Sequence, residues 1–268
     1  NEKGGQELAA LIEDWQAYLK PRGWWDMTYI YGFDECPREK FWEMRETYGW
    51  LKRRFPDLRR MTTVMPHPEL KGYVDIWVPL TSHYNHEQAE EYRRDGDEVW
   101  TYVCCHPYHP WPNFFIDYPA IDPRIIFWQN WKYNVPGFLY YAVNLWETNR
   151  NPEQGPDDPL IRRMMEAGKR WPEIPWNTFT CATFNGDGQL LYPGPQGQPL
   201  ASIRLASIRD GIDDYDYFAI LKSLTDRAES SGAVSPRLLQ RARAALKVRP
   251  EVATSMTEYT RGPEVLYA

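Results

Sequence analysis

Five short, nearly unbroken apolar runs, separated by segments of helical spacing or by long polar loops, set the strongest constraint on what this chain can fold into. They lie at residues 27–33, 60–65, 73–79, 98–104 and 137–145. Continuous rather than alternating apolar character is the mark of strands covered on both faces, as in parallel sheets. Helical spacing falls between them. Leu8, Leu11, Ile12, Trp15 and Leu19 make one apolar stripe over 5–20, ended by Pro21. A second helix starts at Pro37 and buries Phe41, Met44, Tyr48, Leu51 and Phe55. A polar helix spans about 86–94, and 122–134 carries Ile125, Ile126, Trp128 and Trp131. Strand and helix in alternation predict an α/β fold with a parallel sheet. Five strands do not close an eight-stranded barrel. Two architectures remain: the C-terminal part of a (β/α)8 TIM-type barrel whose first three or so strands come from an upstream segment, or an open doubly wound sheet. No strand is followed by a Gly-rich phosphate fingerprint, which counts against a nucleotide-binding fold.

Beyond residue 146 the pattern changes. Residues 149–159 read as a Pro- and Asn-rich loop and 159–170 as a helix. A small hairpin insertion is predicted in which 179–184 and 189–192 flank Asn185-Gly186-Asp187-Gly188, since Asn-Gly and Asp-Gly supply the positive φ of tight turns. A long helix over about 201–228 follows, with Asp210, Asp213, Asp214 and Asp216 as a solvated face paired to Arg204 and Arg209; a last helix covers 236–247. The expected organisation is one catalytic-type domain over 1–268, with its core at 5–228 and a C-terminal helix and tail at 229–268.

Composition removes several function classes. The net charge of −6 comes from interspersed charges, without the basic stripe of a nucleic-acid surface. No apolar run approaches the roughly 18 residues of a membrane span. Cys36, Cys104, Cys105 and Cys181 form no CxxC pair, and Cys104-Cys105-His106 with His109 supplies too few converging ligands for a metal, so neither a metal nor another cofactor is expected. Thirteen Trp and 18 Tyr offer faces for stacking on sugar rings, or simply a large core.

The candidate chemistry sits in Tyr31-Gly32-Phe33-Asp34-Glu35-Cys36-Pro37. Two carboxylates stand where the first strand ends, the active-site edge of a parallel β/α architecture. They suit acid catalysis on a sugar; alternatively one of them caps the next helix. Strand alternation puts Tyr140, Ala142, Asn144 and Trp146 on one face, so Asn144 and Trp146 become sugar contacts, unless Trp146 packs under a loop. Tyr31, Trp77 and Tyr102 complete the candidate substrate-binding set, each with a core role as its alternative. The loop residues His67, His83 and His106 show no partner in the sequence.

Several blocks occur in one order: Tyr31 to Glu35, Trp100-Thr101-Tyr102-Val103-Cys104-Cys105, Arg124 to Trp128, Gly137 to Trp146, Gly186 to Gly194, Ser202-Ile203-Arg204-Leu205, and Ile208-Arg209-Asp210-Gly211-Ile212-Asp213-Asp214-Tyr215-Asp216-Tyr217. Over about residues 25–228 the chain resembles the C-terminal, catalytic region of the β-N-acetylgalactosaminidase glycoside hydrolases and their bacterial relatives. The resemblance implies a (β/α)8 barrel behind a β-sandwich domain and an extracellular or periplasmic site of action. It matches Asp34 and Glu35 to the family's adjacent acidic pair. Cys36 departs from the pattern, in which Pro directly follows the Glu.

Consecutive residues have Cα atoms about 3.8 Å apart, so the pair is poorly placed to flank a sugar from opposite faces. It suits a retaining exo-β-N-acetylhexosaminidase in which the 2-acetamido oxygen of the substrate is the nucleophile. Glu35 then protonates the departing oxygen, and Asp34 holds the acetamido N–H and stabilises the oxazolinium charge. A glycosidase of other sugar specificity and a non-catalytic carbohydrate-binding fragment are the competing readings.

Overall fold

The computed structural model describes residues 2–146, 159–169, 173, 178–180, 184–232 and 234–267. It divides into two compact units, Asn1–Pro79 with Asn85–Trp100, and Leu80–Tyr84 with Thr101–Ala268.

The first unit runs α1 (Glu2–Leu19), β1 (Tyr29–Phe33), α2 (Phe41–Arg54), β2 (Arg59–Thr62), β3 (Ile76–Trp77), α3 (His86–Arg94) and β4 (Glu98–Val99). The strands pair in parallel in chain order β1-β2-β3-β4, with Tyr29 opposite Arg59, Met61 opposite Ile76 and Ile76 opposite Glu98. The inner face of α2 (Phe41, Met44, Tyr48, Leu51) is buried, as the spacing predicts. The Asn85 side chain accepts the Gln88 N–H at 3.0 Å and so caps α3 at its predicted start. Two expectations fail here. The stripe of α1 is not buried throughout: Ile12 is, whereas Leu11 and Trp15 are 45% and 47% exposed. β1 is not covered on both faces either, since Tyr29 and Tyr31 remain exposed, and it lies at the end of the sheet with β2 as its one neighbour among the described strands.

The second unit begins with β5 (Thr101–Val103), α4 (Asp122–Lys132), β6 (Phe138–Tyr140) and α5 (Pro159–Glu166). It continues with β7 (Phe179–Thr180), β8 (Phe184–Asn185), β9 (Leu191–Pro193), β10 (Pro199–Ala201), α6 (Ile203–Ser231), α7 (Pro236–Ala245) and α8 (Glu264–Tyr267). β5 and β6 pair in parallel, Thr101 to Phe138 and Val103 to Tyr140. The single strand expected at 98–104 is therefore broken. The Trp100 N–H goes to the Trp77 carbonyl, but the Thr101 N–H goes to Gly137, so the hydrogen-bond partner changes between adjacent residues. The run at 137–145 stops being a strand at Tyr140, because the Val143 carbonyl accepts the Leu191 N–H and the Leu145 N–H turns to Gly188.

The predicted hairpin becomes two. β7 pairs antiparallel with β8, and β9 with β10, while Asn185–Gly188 is the turn between the pairs. Gly186 and Gly188 do take positive φ, 82° and 70°. Cys181 and the loop 149–158 lie outside the described residues.

Ser202 caps α6, its hydroxyl accepting the Leu205 N–H. Its acidic residues are not all solvated. Asp214 forms a two-point pair with Arg124 at 2.6 and 2.9 Å and also accepts the Trp128 indole N–H at 2.7 Å. Arg204 pairs with no aspartate among the described residues; it is buried and donates to the carbonyls of Phe114, Gly186 and Gln189. Arg209 does pair with Asp210. α4 and α6 meet at Gly211, where a Cβ would come within 2.6 Å of the Phe127 ring and 2.8 Å of the Arg124 carbonyl oxygen. Around this contact Val103, Phe114, Ile126, Phe127 and Leu190 form a buried cluster.

The fold is thus α/β with parallel sheets, and the described strands do not close a barrel. No described helix is long and apolar enough to cross a membrane.

Candidate active site

The acidic pair of the first unit is set by the end of β1. A bulge at Gly32 shifts the register between Tyr31 and Phe33. Bulges re-aim the side chains beyond them. The strand end is tied down by hydroxyls. The Gly32 N–H donates to Tyr48 Oη at 3.2 Å, and that phenol donates to the Met61 carbonyl at 2.5 Å. The Thr62 hydroxyl donates to the Phe33 carbonyl at 2.8 Å.

Past the bulge, Tyr31 reaches the residue three positions on and donates to Asp34 Oδ1. Thr63, just beyond β2, donates to the same oxygen at 2.8 Å and accepts the Glu35 N–H at 2.6 Å. Asp34 Oδ2 accepts no hydrogen bond from a described residue. The Tyr31 phenol is pushed well above the ordinary tyrosine range, first by burial and then by its bond to Asp34, so it stays a donor.

Glu35 sits at φ 43°, in the left-handed region. For a residue with a Cβ this conformation costs roughly 1–2 kcal/mol, and such strain collects at functional sites. Both carboxylate side chains are exposed, while Thr63 beneath them is buried. Neither carboxylate caps a helix. Pro37 is extended, a single 3-10 turn Arg38–Lys40 intervenes, and α2 begins at Phe41 after Lys40 without a side-chain cap. The helix expected from Pro37 starts four residues late because the chain must first leave the Asp-Glu loop.

The other candidate residues divide. Trp77 is fully buried, donates its indole N–H to Asp97 at 2.8 Å and packs edge-on against Tyr92; it is a core residue. Tyr102, on β5, is buried as well. Asn144 is exposed and bridges to Gln189. Trp146 is half-buried and donates to the Leu191 carbonyl at 2.8 Å, which fastens the chain after β6 to β9. The loop residue His67 has a local partner after all: its Nδ1 accepts the Glu69 N–H at 3.2 Å.

Two features escaped the sequence. One is Thr63, for which the only signal was a pair of threonines at a strand end. The other is Asp187, which read as a turn residue. Its carboxylate is buried and accepts Tyr140 and Tyr141 hydroxyls at 3.1 and 2.9 Å. Burial raises its pKa, against the downward pull of the two tyrosines. The Gly188 N–H completes the cluster by donating to Tyr140 Oη at 2.7 Å. Cys104 Sγ lies 3.8 Å from Cys105 Sγ, and Cys105 Sγ 3.4 Å from His106 Nδ1. Among the described residues no group of three or more His, Cys, Asp or Glu is arranged to hold a metal ion.

Comparison with known proteins gives this geometry a context. A search of the curated proteins returned no significant match. Among solved structures, a family 123 glycoside hydrolase from Clostridium perfringens, described in terms of glycolipid glycan hydrolysis, shares the fold with a TM-score of 0.57 at 17% identity. The match covers 84% of this chain but 36% of that one, so the chain spans about a third of the neighbour's length. The family model for the glycoside hydrolase 123 catalytic domain matches residues 3–221, most of the chain and all of the elements around Asp34 and Glu35. The chain belongs to the family 123 glycoside hydrolases, within their catalytic domain.

Proposed function

We propose that the chain carries the catalytic pair of a retaining exo-β-N-acetylhexosaminidase of the galactosaminide type. The observation that carries this reading is the asymmetric state of Asp34. One carboxylate oxygen is held by two hydroxyls, and the other accepts nothing from the described residues. An aspartate so fixed is prepared to receive an acetamido N–H and to stabilise the oxazolinium that forms when the acetamido oxygen attacks the anomeric carbon. Glu35, exposed beside it, is the group that protonates the leaving oxygen. Tyr31 then acts by holding Asp34 rather than by touching the sugar. Asn144 and Trp146 remain the candidate sugar contacts. Burial of Trp77 and Tyr102 argues against that role for them.

The glycolipid glycans named for the Clostridium perfringens enzyme are the natural substrate class to try first. In the same reading, the exposed β1 is where an upstream segment would extend the sheet toward a complete barrel.

The test compares aryl β-glycosides of N-acetylgalactosamine and of galactose. Substrate assistance predicts turnover of the first and near inertness of the second. Similar rates on both, or a trapped ester on Asp34, would rule the mechanism out.

A further inference from the structure

We infer that Thr63 is the positioning residue of the carboxylate pair, one hydroxyl that sets both the side chain of Asp34 and the backbone of Glu35. The inference rests on the reading of Asp34 and Glu35 as the catalytic pair and extends it to what holds them.

A threonine hydroxyl has one proton to give and two lone pairs to accept with. Thr63 gives its proton to Asp34 Oδ1 at 2.8 Å and takes the Glu35 N–H at 2.6 Å. The Tyr31 proton is committed to Asp34, so the 3.3 Å approach of Tyr31 to Thr63 is secondary. Every side-chain hydrogen bond of Thr63 among the described residues goes to Tyr31, Asp34 or Glu35. The strand end itself is tied by other groups, Tyr48 and Thr62. Thr63 is thus not needed to pair β1 with β2, and its bonds concern the acidic loop alone.

Adjacent residues make the consequence sharper. A rotation of the Asp34–Glu35 peptide moves the acetamido acceptor and the proton donor together, so a single fault misaligns both steps of the reaction. The left-handed φ of Glu35 is the conformation most ready to relax if its N–H partner is lost. Charge-assisted bonds to a carboxylate are the stronger kind, so the Asp34 contact resists rotation as well.

Thr63→Val keeps the shape and removes the hydroxyl; Thr63→Ser keeps the hydroxyl. Both are made in the full-length protein and assayed on an aryl N-acetyl-β-galactosaminide beside Asp34→Asn, Glu35→Gln and the Thr63→Val/Asp34→Asn double variant. Misalignment predicts a kcat loss of roughly 10- to 100-fold for Thr63→Val with little change in KM. Thr63→Ser should recover most of it. In the Asp34→Asn background the valine should lose the part of its effect that acts through Asp34 and keep the part that acts through Glu35. The double variant should therefore fall short of the product of the two losses, whereas a general structural fault would multiply them in full.

A crystal structure of Thr63→Val gives a readout independent of turnover: Asp34 rotated and Glu35 out of the left-handed region. An unmoved pair, or wild-type kcat in Thr63→Val while Asp34→Asn and Glu35→Gln are inactive, overturns the inference. If those two variants keep wild-type rates, the catalytic-pair reading fails instead, and the crystal structure still decides whether Thr63 holds the loop.

Discussion

Asp34 and Glu35 adjoin in the chain but are held in different ways. Asp34 is fixed through its side chain by Tyr31 and Thr63, whereas Glu35 is fixed through its backbone, with its N–H on Thr63 and φ at 43°. Their substitutions should therefore be separable. Glu35→Gln removes the proton donor, and loss of general acid help is worth roughly 10²–10⁴ in rate. The loss should shrink as the leaving group improves, because a good leaving group departs without protonation. Asp34→Asn should slow every N-acetylgalactosaminide by a similar factor, since the oxazolinium charge forms whatever departs. A series of aryl leaving groups run against both variants checks this. Equal dependence on the leaving group in the two would show that the roles are not divided as drawn.

At the scale of elements, the blocks that make the sequence distinctive turn out to fasten helices and turns together. Arg124 and Trp128 of α4 meet Asp214 of α6, and Arg204 of α6 reaches the carbonyls of Phe114, Gly186 and Gln189. Gly211 lets the two helices approach. Its missing Cβ would face the Arg124 carbonyl oxygen at 2.8 Å, and a backbone atom within a helix cannot swing aside. Gly211→Ala gains roughly 1 kcal/mol of helix propensity but pays an overpacking cost of roughly 1–3 kcal/mol. The net expectation is lower stability, read as an earlier urea midpoint with an unchanged slope. A later midpoint would show that the helices separate freely. Bulkier Gly211→Val, a β-branched residue with a smaller propensity gain, should fall further.

At the scale of the whole molecule, Asp122 couples the start of α4 to the C-terminal segment. It is fully buried and accepts the Tyr259 hydroxyl at 3.1 Å, with Arg261 at 3.4 Å. Burial pushes its carboxyl up to about 7, against the pull of Tyr259 and Arg261. In the unfolded chain it loses its proton near pH 4. Between about pH 4 and 7 the folded state therefore holds a proton that the unfolded state has released, and stability falls as pH rises. The contribution is fully present below about pH 4 and gone above about pH 7, with a slope of at most about 1.4 kcal/mol per pH unit. Asp122→Asn removes the titration, so the difference in Tm between wild type and variant should drift across that window and be flat outside it. A constant difference from pH 4 to 8 would contradict the assignment.

Much of the plan was legible in the residues alone, because it rests on short-range periodicity. The alternation of apolar runs and amphipathic stretches announced parallel strands and helices, and α3, α4 and α6 begin within two residues of where their spacing places them. The carboxylate pair at a strand end was visible too, since strand, loop and acid are contiguous. Tertiary structure alone decided which groups pair. Nothing local marks Trp100 as the point where one apolar run changes hydrogen-bond partner, or shows that 189–192 pairs onward to 199–201 instead of back to 179–184. Burial of Trp77, Asp187 and Arg204 likewise depends on residues distant in sequence. Thr63 makes the point most simply: 28 residues of chain separate it from Glu35, and only the parallel pairing of β1 with β2 brings its hydroxyl beneath the pair.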